Sequence, residues 1–265
     1  MTPRRLVLLG HPVIHSVSPR MQNAALGAAN IDVHYEAMDV EPAHLSSVLR
    51  NLADEGAAGN VTRPFKRAVF ELCEVVTSVA ARSGAVNTFW FEEQRMHGDN
   101  TDVAGFDKAI RALVHDQLEG LITVFGSGGA AAGVLEALSA WPNIVVDLVA
   151  RNRIAGESLA ARYSDFVHYT ELTDERFREA KLVVNATPIG QHDDSVPFDV
   201  KKLSPSAKVF DLVYKRGGTM LVRLALAEGH DAADGTTMLV EQGALAFERW
   251  FGFAPDRNVM RLAIS

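Results

Sequence analysis

The chain has one cysteine, Cys73, in 265 residues, so no intramolecular disulfide framework is possible. That fits a reducing compartment, and the expected location is the cytoplasm. It lacks an excess of positive charge: 26 Lys and Arg stand against 33 Asp and Glu, for a net charge of -7. Without a basic run there is no electrostatic case for nucleic acid or an anionic membrane surface. Long hydrophobic runs are also missing, and nothing approaches the ~20 apolar residues a membrane span needs. The N-terminal "RRLVLLGHP" offers an apolar run of only about five residues, too short for a secretory core of roughly seven to fifteen. It reads instead as a strand. His11 and His15 have no Cys, Asp or Glu partners at ligand spacing, so no metal site is expected. There is no internal repeat and no low-complexity segment.

What is present is ordinary globular material, 48% hydrophobic and 22% charged, in a length that suits two domains. Short apolar runs alternate with helical patterns from end to end, which predicts an α/β fold. Strands are expected at Arg5–Gly10, Val33–Val40, "GNVT" from Gly59, two around a polar turn in Ala85–Thr101, then at the start of Leu118–Leu138, and at Asn143–Ala150, Lys181–Thr187 and Lys208–Tyr214. They are continuously apolar rather than alternating, as in a parallel sheet covered on both faces. Ser18-Pro19 reads as an N-cap followed by proline at the first helical position. Further helices are expected over Pro42–Gly56, from near Pro64, over Asp102–Val114 with Thr101 as cap, and over Thr237–Gly252. The expected organisation is an N-terminal α/β domain over 1–103, completed by 237–265, and a second domain over 104–236, with a cleft between them.

Gly126, Gly128 and Ala131 fit G-x-G-x-x-A directly after a strand and at the opening of a helix. Such glycines permit a tight turn and close backbone approach to a pyrophosphate, which the helix N-terminus attracts. A plain tight turn is the competing reading. The following strand ends in "LVARNR", with Arg151 and Arg153 and no acidic residue before Glu157. A carboxylate there would favour NAD, and arginines can hold the 2′-phosphate of NADP. Alternatively, the two arginines simply open an exposed helix.

In the first half, Ser16 and Ser18 place two hydroxyls at a helix start, a corner that suits a carboxylate ligand. "GNVTRPFK" ends on Lys66, and "GDNTD" ends on Asp102. Asp102 by itself is a common first-turn acid. If the two segments converge, they form a Lys–Asp pair able to manage a proton while a bound dinucleotide carries hydride.

Taken together, "GHPVIHSVSP", "GNVTRPFK", "GAVNT", "GDNTDVAGF", "FGSGGAAAG", "VNATPIG", "FDLVY" and "DGTTMLVEQGALAF" resemble the shikimate dehydrogenase family from end to end. The resemblance implies a substrate domain, a Rossmann-type cofactor domain, and reversible NADPH-dependent reduction of 3-dehydroshikimate to shikimate within aromatic amino-acid biosynthesis. It implies catalysis by Lys66 with Asp102, and carboxylate binding by Ser16 and Ser18. Thr62, Asn87, Tyr214 and Gln242 match positions that bind the substrate's carboxylate and ring hydroxyls. Gly126, Ser127, Gly128, Gly129 and Ala130 match the pyrophosphate loop. Ala150, Arg151, Asn152 and Arg153 match the 2′-phosphate segment, and Thr187 lies by the adenosine half. Leu212, Gly235 and Met238 match positions around the nicotinamide. Family members include monomers and homodimers.

This chain departs from the family pattern in three places. The glycine loop often continues to an arginine where Ala132 stands. The usual Asn-Arg-Thr is Ala150-Arg151-Asn152, so only Arg151 is kept, with Arg153 nearby. "NATPIG" has proline where a serine is common. NAD is therefore a possible second cofactor. The paired serines and Tyr214 favour shikimate over quinate, whose additional C1 hydroxyl would crowd the carboxylate corner. Three other readings are a quinate/shikimate dehydrogenase using NAD or acting on an analogue, a non-catalytic nucleotide sensor, and a folate-linked dehydrogenase. The Lys66/Asp102 pair argues against the sensor, and the two serines against the folate enzyme.

Overall fold

The computed structural model describes residues 2–116, 118–171 and 173–265. The chain divides into two compact units, one of residues 1–105 with 239–265 and one of residues 106–238.

The first unit opens with β1 (Arg5–Gly10), α1 (Ser18–Ala28), β2 (Tyr35–Asp39), α2 (Leu45–Asp54) and β3 (Ala57–Val61). It continues through α3 (Lys66–Leu72), β4 (Val75–Val76), α4 (Ser78–Ser83), β5 (Thr88–Glu92) and β6 (Arg95–Asp99) into α5 (Thr101–Val114). The sheet order is β2-β1-β3-β5-β6-β4. β1 runs parallel to β2 and β3, whereas β5 is antiparallel to both β3 and β6. The uninterrupted apolar run of β1 has a simple cause. Leu6 and Leu8 enter one buried cluster, with Met21 of α1, and Val7 and Leu9 enter another, with Leu49 of α2. Side chains alternate across a strand, so a strand buried on both faces is apolar throughout. The β5–β6 turn has Glu93 and Gln94 at φ 50 and 62, the left-handed geometry a two-residue hairpin requires.

Helix α1 differs from expectation at its start. Its N-cap is Val17, already in the right-handed helical region, and the Val17 side chain makes no capping bond. The Met21 N–H donates to Val17 O, so Ser18 lies inside the first turn. Helix α3 begins at Lys66 rather than at Pro64, because the Phe65 N–H first closes a turn onto Thr62 O.

The second unit contains β7 (Gly120–Phe125), α6 (Gly129–Leu138), β8 (Ile144–Val149), α7 (Arg153–Ala161) and β9 (Val167–Tyr169). It ends with α8 (Asp174–Glu179), β10 (Leu182–Asn185), β11 (Lys208–Asp211), α9 (Met220–Ala227) and β12 (Ala232–Asp234). All pairings are parallel, in the order β12-β11-β10-β7-β8-β9. Counted from β7, that is the doubly wound 3-2-1-4-5-6 order, whose crevice lies where the strand order reverses, beside β7. β9 and β12 went unread in the sequence, since each is three residues with one polar member.

The chain closes with α10 (Thr236–Phe251) and α11 (Arg257–Ile264). From Leu239 onward they belong to the first unit, where Val240, Phe247, Trp250 and Met260 join the cluster of Leu6 and Leu8. Among the described residues, no helix is long and apolar enough to cross a membrane.

Candidate active site

β3 is buried along its whole length, and Thr62 follows at its exit. The Thr62 N–H donates to Leu9 O, and the His11 N–H donates to Arg63 O at 3.0 Å. A Cβ on Gly10 would lie 2.5 Å from the Thr62 methyl, so glycine is the residue that lets these two strand ends meet. The turn that carries Lys66 is thereby stitched to the root of the Ser16–Ser18 loop. In that loop the Ser18 N–H donates to Ser16 Oγ at 3.2 Å. The hydroxyl that serves the first turn of α1 is thus that of Ser16, not Ser18.

Lys66 Nζ donates to Asp102 Oδ2 at 2.5 Å. The two side chains are 15% and 9% exposed, so the pair is largely shielded from water. Removing water strengthens the attraction, and it also raises the cost of leaving either charge alone. Asp102 sits in the first turn of α5, where the helix dipole favours a carboxylate. It is both the first-turn acid and the partner of Lys66.

Asn87 is tied to the segment that leads into Asp102. Asn87 Oδ1 accepts from the Thr101 N–H at 2.8 Å, and Asn87 Nδ2 donates to Gln242 Oε1 at 3.4 Å. Asn60 Nδ2 donates to Asn87 O, and Asn60 Oδ1 accepts from the Tyr35 hydroxyl at 2.8 Å. Burial pushes the Tyr35 hydroxyl well above its ordinary value. Thr62, Lys66 and Gln242 are half-buried, and Asn87 is buried. Asp99 and Arg249 were not singled out from sequence, and Thr101 was read there only as a helix cap. Arg249 Nη2 donates to Asp99 Oδ2 at 2.7 Å, across 150 residues, and no local pattern announces such a contact.

In the second unit, Gly126 leaves β7 at φ +122, with a hypothetical Cβ 2.8 Å from Ala186 O. Only glycine satisfies both conditions. Gly128 differs: a Cβ there would meet nothing within 4 Å. It is the N-cap of α6 and has no side-chain cap, so the first-turn N–H groups, including those of Gly129 and Ala130, have no capping side chain. Open space over an uncapped N-terminus, at the reversal point of a doubly wound sheet, fits a pyrophosphate. Ser127 is half-buried in the same loop.

After β8 the chain turns at Ala150, whose carbonyl accepts from the Tyr169 hydroxyl at 3.3 Å. Asn152 caps α7, accepting from the Ala155 N–H at 3.1 Å. Arg153 Nε donates to Glu157 Oε1 at 2.8 Å, one helical turn on. Arg151 is exposed and has no ion pair among the described residues. Of the residues expected to face a 2′-phosphate, one therefore caps a helix and one is engaged by a carboxylate.

Thr187 Oγ1 donates to Asn185 Oδ1 at 2.6 Å, and Asn185 Nδ2 donates to Asp211 Oδ1 at 2.8 Å. Asp211 also accepts from Thr219 Oγ1 and the Val213 N–H. Burial still holds its carboxyl above the usual range, against the pull of these three donors. Leu212 and Gly235 are brought together, since a Cβ on Gly235 would lie 2.2 Å from Leu212 O. Met238 is buried, and Tyr214 is half-buried just after β11.

Comparison with known proteins agrees with this architecture. The family model "Shikimate dehydrogenase substrate binding domain" matches residues 8–89. The model "Shikimate 5'-dehydrogenase C-terminal domain" matches residues 235–264. The shikimate dehydrogenase (NADP(+)) of Salinibacter ruber is 38% identical over 277 residues, covering 99% of this chain and 96% of that one. The crystal structure of shikimate 5-dehydrogenase from Thermus thermophilus, in complex with NADP(H) and shikimate, superposes with a TM-score of 0.89 at 35% identity, covering 98% of each chain. The quinate dehydrogenase of Corynebacterium glutamicum, in complex with NAD, has a TM-score of 0.89 at 28% identity, again over 98% of each. With a match of this identity across nearly all of its length, the chain belongs to the shikimate dehydrogenase family.

Proposed function

We propose that this protein catalyses the reversible NADPH-dependent reduction of 3-dehydroshikimate to shikimate, within chorismate and aromatic amino-acid biosynthesis. The observation that carries the reading is the shielded Lys66–Asp102 pair, formed between two helix starts of one unit. A charged lysine held at 2.5 Å by a carboxylate is aimed and ready to act. In the reductive direction Lys66 Nζ gives a proton to the carbonyl oxygen as it becomes a hydroxyl. In oxidation it takes the proton back. The bound cofactor would supply the hydride as NADPH in reduction and accept it as NADP+ in oxidation. Ser16 and Ser18 hold the substrate carboxylate, with Thr62, Asn87, Tyr214 and Gln242 fixing carboxylate and ring hydroxyls. The loop Gly126–Ala130 holds the pyrophosphate, Ala150–Arg153 and Thr187 the adenosine side, and Leu212, Gly235 and Met238 the nicotinamide. We assign substrate binding chiefly to residues 1–103 with 237–265, and cofactor binding chiefly to residues 104–236, with Tyr214 and Met238 as the residues that serve the other ligand. The protein acts on small molecules, and the single cysteine supports a cytoplasmic setting.

A second reading, turnover with NAD, is favoured by one observation: Arg153 is engaged by Glu157, which leaves Arg151 as the 2′-phosphate partner. The test is shikimate oxidation followed at the nicotinamide absorbance, with NADP and NAD in parallel and quinate as the alternative substrate. Turnover with shikimate and NADP only is the expected result. Comparable rates with NAD select the second reading. A folded protein that binds cofactor and turns over none of the pairs overturns both.

A further inference from the structure

Arg249 lies seven residues after Gln242 on α10, nearly two helical turns, so both side chains leave the helix from one face. Arg249 reaches the segment Asp99 to Asp102 directly, and Gln242 reaches it through Asn87. Gln242 contacts Asn87, and Asn87 Oδ1 accepts from the Thr101 N–H. Arg249 Nη2 donates to Asp99 Oδ2 at 2.7 Å. The other oxygen, Asp99 Oδ1, accepts from Thr77 Oγ1 at 2.6 Å and from the Asn100 N–H at 2.8 Å. Asn100 Nδ2 in turn donates to Ser83 Oγ at 2.9 Å. The Arg249 guanidinium lies 5.7 Å from the centre of the Trp90 ring, and Trp90 stacks on His97 at 5.3 Å.

The Asp99 side chain is 9% exposed, and Arg249 is its cationic partner. A carboxylate that far from water needs its cation to keep its place. Since the Asn100 N–H is bonded to the same carboxylate, a rotation of Asp99 would release that N–H and loosen the backbone that leads to Asp102. We propose that Arg249 is a positioning residue: through Asp99 it sets the placement of Asp102, and with it the aim of Lys66. This rests on the Lys66–Asp102 reading given above. Arg249 touches neither member of that pair, so its effect is on geometry.

The test compares Arg249→Met, Arg249→Lys, Asp99→Asn and the double variant Arg249→Met/Asp99→Asn in steady-state shikimate oxidation, with cofactor binding followed by fluorescence. Arg249→Met is expected to lower kcat by roughly 10- to 100-fold, as small misplacements of catalytic groups do. The KM for shikimate is expected to stay within about threefold, and cofactor affinity to be unchanged, because no ground-state contact is lost. Arg249→Lys restores most of kcat. The double variant is no slower than the slower single, since the two residues act through one contact. A folded Arg249→Met with the parent kcat, or losses that add in the double variant, overturns the proposal. Should Arg249→Met fail to fold, Asp99→Asn decides: parent kcat in that variant overturns it equally. Lys66→Met is run alongside. Turnover retained by that variant means the Lys–Asp reading itself has failed, an outcome distinct from failure of the role of Arg249.

Discussion

Arg153 and Glu157 form an ion pair at 2.8 Å along one face of α7, at the place where an NADP enzyme needs free guanidinium groups. If Arg153 holds the 2′-phosphate as proposed, Glu157 competes with that phosphate for it. Neutralising it in Glu157→Gln is expected to lower the KM for NADP by roughly threefold and leave that for NAD unchanged, the scale of one exposed ion pair. Arg151→Ala is expected to raise the KM for NADP by about tenfold or more, with NAD affected less than about twofold. Equal effects on both cofactors would remove Arg151 from the 2′-phosphate.

Lys66 and Asp102 are expected to act as one unit. Lys66→Met and Asp102→Asn should each lower kcat by roughly 10²- to 10⁴-fold, the range of a lost acid–base group. The double variant should be little slower than the worse single. Cofactor affinity, read by fluorescence, should survive in all three, because the proposed cofactor residues belong to the other unit.

Two glycines in the proposed cofactor surroundings should respond in opposite ways. A Cβ at Gly235 would sit 2.2 Å from Leu212 O, so Gly235→Ala should destabilise the fold by about 3 kcal/mol. Gly128 has open space instead. Gly128→Ala should cost less than about 1 kcal/mol, seen as a Tm change of at most about 4 °C, yet weaken cofactor binding. Thermal melts with and without NADP separate the two.

The buried Asp211 carboxyl lies above its ordinary range, chiefly through burial. A raised folded-state value means its favourable contribution is complete below the unfolded value, about 3.9, and is lost as pH rises through the folded value. The stability difference between the parent and Asp211→Asn should therefore drift in favour of the variant as pH rises from about 4 toward neutrality. Urea denaturation at several pH values measures that drift. A constant difference would refute the assignment.

Burial raises the Cys73 thiol to about 12, with Glu74 adding to the shift. The thiolate is the reactive form, so Ellman's reagent at about pH 8 should label the native protein slowly. Denatured protein should release one equivalent at once. Fast native labelling would contradict the raised value.

The periodic features were legible in the sequence for local reasons. β1 shows its burial on both faces in an unbroken apolar run, because Leu6/Leu8 and Val7/Leu9 serve two cores. The glycine loop after β7 was legible because turn geometry restricts the residue at Gly126 directly. The three-residue β9 and β12 carry too few side chains for a period to show. The start of α1 was misplaced because hydroxyl identity suggests a cap, while the backbone at Val17 decides where the helix begins. Arg153 could be read as a phosphate ligand or a helix opener, and its rotamer toward Glu157 is a choice made only in the folded helix.

What the sequence by itself determined was the alternation of strand and helix, the glycine loop after β7, and the residue types available for chemistry. Only the tertiary structure decided which of them meet. Lys66 reaches Asp102 across 36 residues, and Arg249 reaches Asp99 across 150. Such contacts exist because each face of the sheet buries its own core, one of them together with a returning helix, and the free energy for that comes from the apolar surface removed from water. The polar partners are carried along with it, and their identities leave no periodic trace in the chain.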